Sequence, residues 1–164
     1  MGNILVIVDM QKGFINSRTK ELPKKIRNHV DDSASFYDKI IFTKFINYGN
    51  MNYINRLGYR GMTDSPDIDI VDELEQIELR STVINKNTYS ALKNEQLRKE
   101  VLESNSKLYI CGVDTDACIL ATAFEAFDLG IEFEILLNLV GTSASNPSMD
   151  VLGLLHRNIG SNNK

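Results

Sequence analysis

The strongest constraint on the fold is an alternation. Five short runs rich in β-branched and aliphatic residues (4–8, 40–45, 82–84, 108–111 and 133–137) are separated by longer stretches with apolar residues at helical spacing (23–37, 66–76, 92–103 and 116–129), and a last such stretch covers 147–158. The short runs predict strands and the longer ones helices. Strands that are nearly continuous in apolar residues, each followed by a helix, call for a parallel sheet covered on both faces. The expected fold class is therefore α/β, a three-layer α/β/α sandwich with a mainly parallel, Rossmann-like central sheet. Ligands of such sheets sit beyond the carboxyl ends of the strands, where strand order reverses. That rule directs attention to Asp9, residues 43–47, Lys86, residues 112–118 and Asn138.

At 164 residues the chain is expected to form a single domain, 1–164. Its net charge of -4 argues against a nucleic-acid partner. No basic leader precedes the first apolar run, and Asp9 interrupts that run too early for a signal peptide or a membrane span, so a cytoplasmic location is expected. Cys111 and Cys118 are too far apart for a redox C-x-x-C pair, and two histidines, His29 and His156, cannot build a His-rich metal cluster. No glycine-rich phosphate loop follows the first strand and no G-x-G-x-x-G follows any strand, so no cofactor is called for. The segment "INYGNMNYINRLGYRGMTDSPDID", residues 46–69, is longer than an ordinary connection and is expected to form a pocket wall or lid. The polar tail, residues 160–164, is expected to fray.

Three residues at strand ends carry chemistry. Cys118 opens the amphipathic stretch "ACILATAFEAF", with Thr115 or Asp116 in position to cap the helix. A helix amino terminus favours an anion, so the thiol pKa is expected to fall below its usual ~8.5. Taken alone, such a cysteine is more often an inert buried residue; its position at a strand-to-helix junction favours the reactive reading. Asp9 ends a central strand, where a carboxylate needs a partner; it could also be a simple turn residue. Lys86 ends another strand and, taken singly, reads as a solvated lysine. Together an acid, a lysine and a cysteine supply what thiol-based acyl transfer requires: a proton acceptor, a cation and a nucleophile.

The motifs "ILVIVDMQKGF", "VINKNTYSAL" and "ICGVDTDACILATAFEAFDLG", in this order, resemble the isochorismatase-like cysteine hydrolases, a family that includes nicotinamidases, carbamoyl-amide hydrolases and ureidoacrylate amidohydrolases. The resemblance runs from Ile4 to about His156. It implies that Asp9, Lys86 and Cys118 form a catalytic triad and that a cis peptide joins Val113 to Asp114. It also implies that the N–H groups of Asp114 and Cys118 form an oxyanion hole, which makes Asp116 an anchor and cap and turns the Asp114 carboxylate away. The reaction implied is hydrolysis of an amide, ureide or carbamoyl C–N bond of a small molecule, the alternatives being a nicotinamidase-type amidase or a non-catalytic small-molecule-binding or interaction homologue of the same fold. Nicotinamidases carry an Asp-x-His pair after the second strand and a further histidine to hold a metal; here that segment reads "FTKFINYGNMNY", and no metal is expected. An aromatic pocket of Phe14, Phe45, Tyr48, Tyr53 and Tyr89, with Met51 beside it, suits a small, partly apolar substrate. Lys44 and Arg56 are candidates to meet a substrate carboxylate. The family also implies a homo-oligomer, with the apolar stretch after Cys118 as the contact.

Overall fold

The apolar runs form one sheet. The computed structural model describes residues 2–147 and 150–160. β1 (Asn3–Val8) is followed by α1 (Leu22–Ser33), β2 (Lys39–Phe45), α2 (Asn52–Leu57), α3 (Glu75–Glu78) and β3 (Thr82–Lys86). Then come α4 (Glu95–Ser104), β4 (Lys107–Val113), α5 (Leu120–Asp128), β5 (Phe133–Gly141) and α6 (Val151–Ile159). The strands lie in the order β3-β2-β1-β4-β5, and every pair is parallel.

Strand periodicity explains the three layers, because successive side chains on a strand point to opposite faces. Leu5 and Ile7 of β1 join Phe42, Cys111 and Val113 in a core closed by Ile26 and Val30 of α1. Ile4, Val6 and Val8, on the opposite face, join Ile41, Ile84 and Ile110 in a core closed by Leu97 and Val101 of α4 and Ala126 of α5. β1 is apolar on both faces because both are covered.

The order reverses at β1, which has β2 on one side and β4 on the other. The two ends can meet closely because β4 carries Gly112 opposite Val8. A Cβ built at Gly112 would lie 2.1 Å from the Val8 carbonyl oxygen, and the residue adopts a φ of +112°. Only glycine fits that approach.

Three helix expectations change. Residues 66–71 are not helical, because their backbone pairs with the segment 11–13 after β1: Lys12 donates to the Asp69 carbonyl, Gly13 to that of Asp67, and Ile70 bridges to Gln11. Helical turns begin only at Asp72. The stretch from Asp116 starts as a π-helical turn, Thr115–Ile119, and becomes α-helical at Leu120. α6 begins at Val151, where the Asp150 carboxylate accepts from the Gly153 N–H at 3.0 Å. Ser148 and Met149 of the expected helix, and residues 161–164 of the expected frayed tail, lie outside the described residues. Asn138 lies within β5 and not beyond it. No helix among the described residues is long and apolar enough to cross a membrane.

Candidate active site

β1 stops at Asp9, whose φ of 51° turns the chain out of the sheet. Asp tolerates this left-handed conformation better than most residues. The turn is pinned to β2, because the Asp9 N–H donates to the Thr43 carbonyl at 3.1 Å and the Thr43 hydroxyl donates to Asp9 Oδ1 at 2.7 Å. The other carboxylate oxygen, Oδ2, meets Lys86 Nζ at 2.7 Å. Lys86 ends β3, two strands away, and strands lie ~4.8 Å apart. Its four-carbon stem covers that gap, and Nζ lies 5.4 Å from the centroid of the Phe45 ring on the intervening strand.

Cys118 completes the cluster. Lys86 Nζ lies 3.4 Å from Cys118 Sγ and also donates to the carbonyls of Thr88, at 2.8 Å, and Tyr89, at 3.3 Å. The side chains of Asp9 and Lys86 are each 1% exposed, so this is a fully buried ion pair. The structure thus brings together the three side chains singled out by sequence.

The electrostatics differ from expectation. Cys118 stands before α5 in the π turn, and neither Thr115 nor Asp116 caps the helix: Ile119 holds the N-cap position without a side-chain bond. Burial pushes the Cys118 thiol well above its ordinary pKa, and the neighbouring Asp9 carboxylate adds to the rise; Lys86 opposes both and is outweighed. The expected depression of the thiol pKa is therefore reversed. The Lys86 ammonium loses by burial but gains more from Asp9 and Cys118, and its pKa is raised. Burial and the neighbouring carboxylate thus favour the protonated form of the thiol, because releasing its proton to solvent would leave net negative charge in a dry site.

The loop before Cys118 contains the cis peptide Val113–Asp114. The N–H groups of Ala117 and Ile119 both donate to the Asp114 carbonyl, at 3.1 and 3.0 Å, which folds the turn tightly around Cys118. The Asp114 carboxylate accepts from the Ser143 N–H at 2.7 Å and the Ser143 hydroxyl at 2.9 Å, while Asp116 accepts from the Thr142 hydroxyl at 3.1 Å. Both acids tie the turn to the segment after β5, so Asp116 is an anchor but not a cap.

A cavity of about 450 Å³ opens onto Cys118. Phe14, Phe45, Tyr53 and Tyr89 line it, joined by Leu57, Tyr59, Asn16, Asp114, Ser143 and Ala144. Tyr53 lies edge-on to both Phe45 and Tyr89, with centroids 4.9 and 5.2 Å away. Tyr48 is corrected: it is 82% exposed, turned to solvent from the irregular segment after β2. Met51 is likewise exposed, and neither Lys44 nor Arg56 is among the lining residues. The long segment after β2 is a pocket wall that includes α2 and supplies Tyr53, Leu57 and Tyr59. Tyr59 lay in that segment and was legible only as one of several tyrosines, whereas Ser143 and Ala144 follow β5 in an unremarkable polar stretch.

The residues do not fit the metal of nicotinamidases. After β2, Asn47 is occupied in structure, its side-chain amide donating to the carbonyls of Tyr59 and Gly61 at 3.1 Å each. Among the described residues no group of three or more His, Cys, Asp or Glu side chains could hold a metal ion.

No curated protein sequence matches the chain. Among solved structures it is similar to a nicotinamidase from Bacillus subtilis, with a TM-score of 0.84, 18% identity and 98% of each chain covered. It is also similar to an N-carbamoylsarcosine amidase from Thermoplasma acidophilum, with a TM-score of 0.83 and 19% identity over 98% of this chain and 94% of the other. A pyrazinamidase/nicotinamidase from Streptococcus mutans gives 0.80 and 20% identity, over 97% of this chain and 98% of the other. At these identities the likeness speaks for the fold, while the isochorismatase domain matches residues 3–158. Match and fold agree over nearly the whole chain, and the protein therefore belongs to the isochorismatase domain family.

Proposed function

We propose that this protein is a cysteine-dependent hydrolase that cleaves an amide, ureide or carbamoyl C–N bond of a small molecule through a thioester, with Asp9, Lys86 and Cys118 as the catalytic triad. One observation carries the reading: a buried cation lies 2.7 Å from a carboxylate and 3.4 Å from a thiol that opens onto a cavity. A purely structural ion pair would not need a sulfur at a cavity wall.

The raised thiol pKa suits this chemistry. Passing the proton from Cys118 to Asp9 leaves the net charge of the site unchanged, so the nucleophile forms without a new desolvation cost. The Cys118 sulfur attacks the substrate carbonyl carbon, and the N–H groups of Asp114 and Cys118 receive the developing oxyanion. Such a donor is typically worth ~3–4 kcal/mol. The C–N bond then breaks as Asp9 returns the proton to the departing nitrogen. Water adds to the thioester carbonyl and gives a proton to Asp9. The C–S bond breaks, releasing the carboxylic or carbamic acid, and the thiol regains its proton from Asp9. Lys86 stays charged throughout and balances whichever of Asp9 and Cys118 is anionic.

The pocket supports a small, partly apolar substrate. Its wall is aromatic, and Asp114, the acid among its described lining residues, has its carboxylate engaged by Ser143. A nicotinamidase-type activity is the second reading, supported by the fold neighbours and weakened by the missing metal ligands. We further propose a homo-oligomer, since Phe127 and Leu129, at the end of α5, stay exposed. Intact-mass analysis after incubation with aromatic aldehydes, and with activated acyl or carbamoyl amides, tests the mechanism. An adduct on Cys118 is expected, with none on Cys111, which is wholly buried on β4. No adduct on Cys118 with any of these probes would refute the nucleophile assignment.

A further inference from the structure

The ammonium of Lys86 is aimed by the loop that follows it. Two of its partners are the carbonyls of Thr88 and Tyr89. That loop is folded on itself, because Thr88 Oγ1 donates to the Ser90 carbonyl at 2.9 Å and the Leu92 N–H donates to Ser90 Oγ at 3.2 Å. These local bonds shape the loop but do not fix its distance from Cys118, which is more than twenty-five residues away in sequence. The Lys93–Glu125 ion pair at 3.0 Å and a core shared by Ala91, Leu92 and Ile119 hold the loop near α5, and one buried hydroxyl ties it directly to the Cys118 turn. Thr122 is wholly buried on α5. Its Oγ1 accepts from the Ala91 N–H at 2.9 Å and donates to the Cys118 carbonyl at 2.7 Å.

Resting on the hydrolase reading, we propose that Thr122 is a positioning residue for the reaction: its hydroxyl locks the loop carrying the Lys86 cradle to the turn carrying Cys118. The ordinary role of a helical threonine, bonding back to the carbonyl four residues earlier, accounts for only half of this geometry. The other half joins two segments that no backbone bond joins at this point, and a single hydroxyl supplies both roles because it can donate once while accepting. The bridge also reaches the substrate. Tyr89, whose carbonyl holds Lys86, packs its ring against Tyr53 in the cavity wall. Loss of the hydroxyl therefore displaces a cation and a wall residue together, and a misplacement of about 1 Å can cost on the order of 100-fold in rate.

The test compares wild type, Thr122→Val, Thr122→Ser and Lys86→Met by the rate at which iodoacetamide alkylates Cys118 between about pH 6 and 9. The Val variant keeps the shape and removes the hydroxyl; the Ser variant keeps the hydroxyl. Thr122→Val should alkylate at least about 10-fold more slowly at each pH, approaching Lys86→Met, while Thr122→Ser stays within about twofold of wild type. A role in packing alone would leave the Val profile close to wild type and slow the Ser variant, and that outcome overturns the proposal. If the Val variant does not fold, hydrogen exchange in the wild type decides: the Ala91 amide should be among the slowly exchanging ones, and rapid exchange overturns the bridge. These readouts do not need turnover. Failure of the aldehyde adduct would sink the hydrolase reading, and equal alkylation of wild type and Thr122→Val would sink this one.

Discussion

Replacing Lys86 by methionine keeps most of the stem volume and deletes the charge from a pair whose side chains are 1% exposed. Two consequences follow, and their sizes can be worked out separately. First, Asp9 is left as a buried carboxylate without its cation, and breaking a buried pair by removing one partner typically costs ~3–5 kcal/mol. The Thr43 hydroxyl still serves Oδ1 but Oδ2 loses its partner. Because the folded-state pKa of Lys86 is raised, its contribution is fully present below the ordinary lysine value of about 10.5 and is lost only as pH rises through the higher folded value. The stability gap between wild type and variant should therefore hold from neutral pH to about pH 10. Second, the thiol loses the Lys86 ammonium, the neighbour that favours its anion. A unit charge 3.4 Å from the sulfur is worth about 5 kcal/mol at an effective dielectric constant of about 20. If relaxation and water entry leave only ~2 kcal/mol of that, the thiolate population still falls about 30-fold. The assay is iodoacetamide alkylation of Cys118 against pH, with urea unfolding of both proteins in parallel. Wild-type alkylation should climb through pH 9 without levelling, since the thiol pKa lies above its ordinary value, and the variant should run at least about 30-fold slower throughout. A variant that unfolds at the same urea concentration and alkylates within twofold of wild type would refute both the pairing and its role.

Gly112→Ala places a methyl 2.1 Å from the Val8 carbonyl at a positive φ, and should destabilise the protein on the order of 3 kcal/mol while disordering the approach of Asp9 to Cys118; an unchanged melting temperature counts against the close strand-end contact. Activity against any amide found to be a substrate should survive chelators, and elemental analysis should find no stoichiometric zinc, iron or manganese; one metal per chain would restore the nicotinamidase reading. Light scattering at micromolar concentration should report more than one chain per particle, and a monomer throughout would remove the proposed oligomer.

How much of this was legible in the sequence follows from what a linear pattern records. Alternation of β-branched runs with helical spacing reports local backbone geometry, so the five strands and the α/β class could be read directly, with errors at ends such as Gly141. Asp9, Lys86 and Cys118 stood out because each follows an apolar run, and in a parallel sheet such positions share one edge. Residues 66–71 misled because their helix-like spacing was overruled by backbone bonds to Gln11, Lys12 and Gly13, partners more than fifty residues earlier. Tyr48 and Tyr59 are alike in sequence, yet only the path of the chain after β2 turns one to solvent and the other into the cavity. Thr122 is, in sequence, one threonine within a helical stretch; its second role comes from the loop after β3, which donates to it. The direction of the Cys118 pKa depended on the same kind of fact. A helix terminus can be inferred from sequence, but desolvation and a carboxylate from another strand are set by how distant segments pack, and here they outweigh the nearby cation.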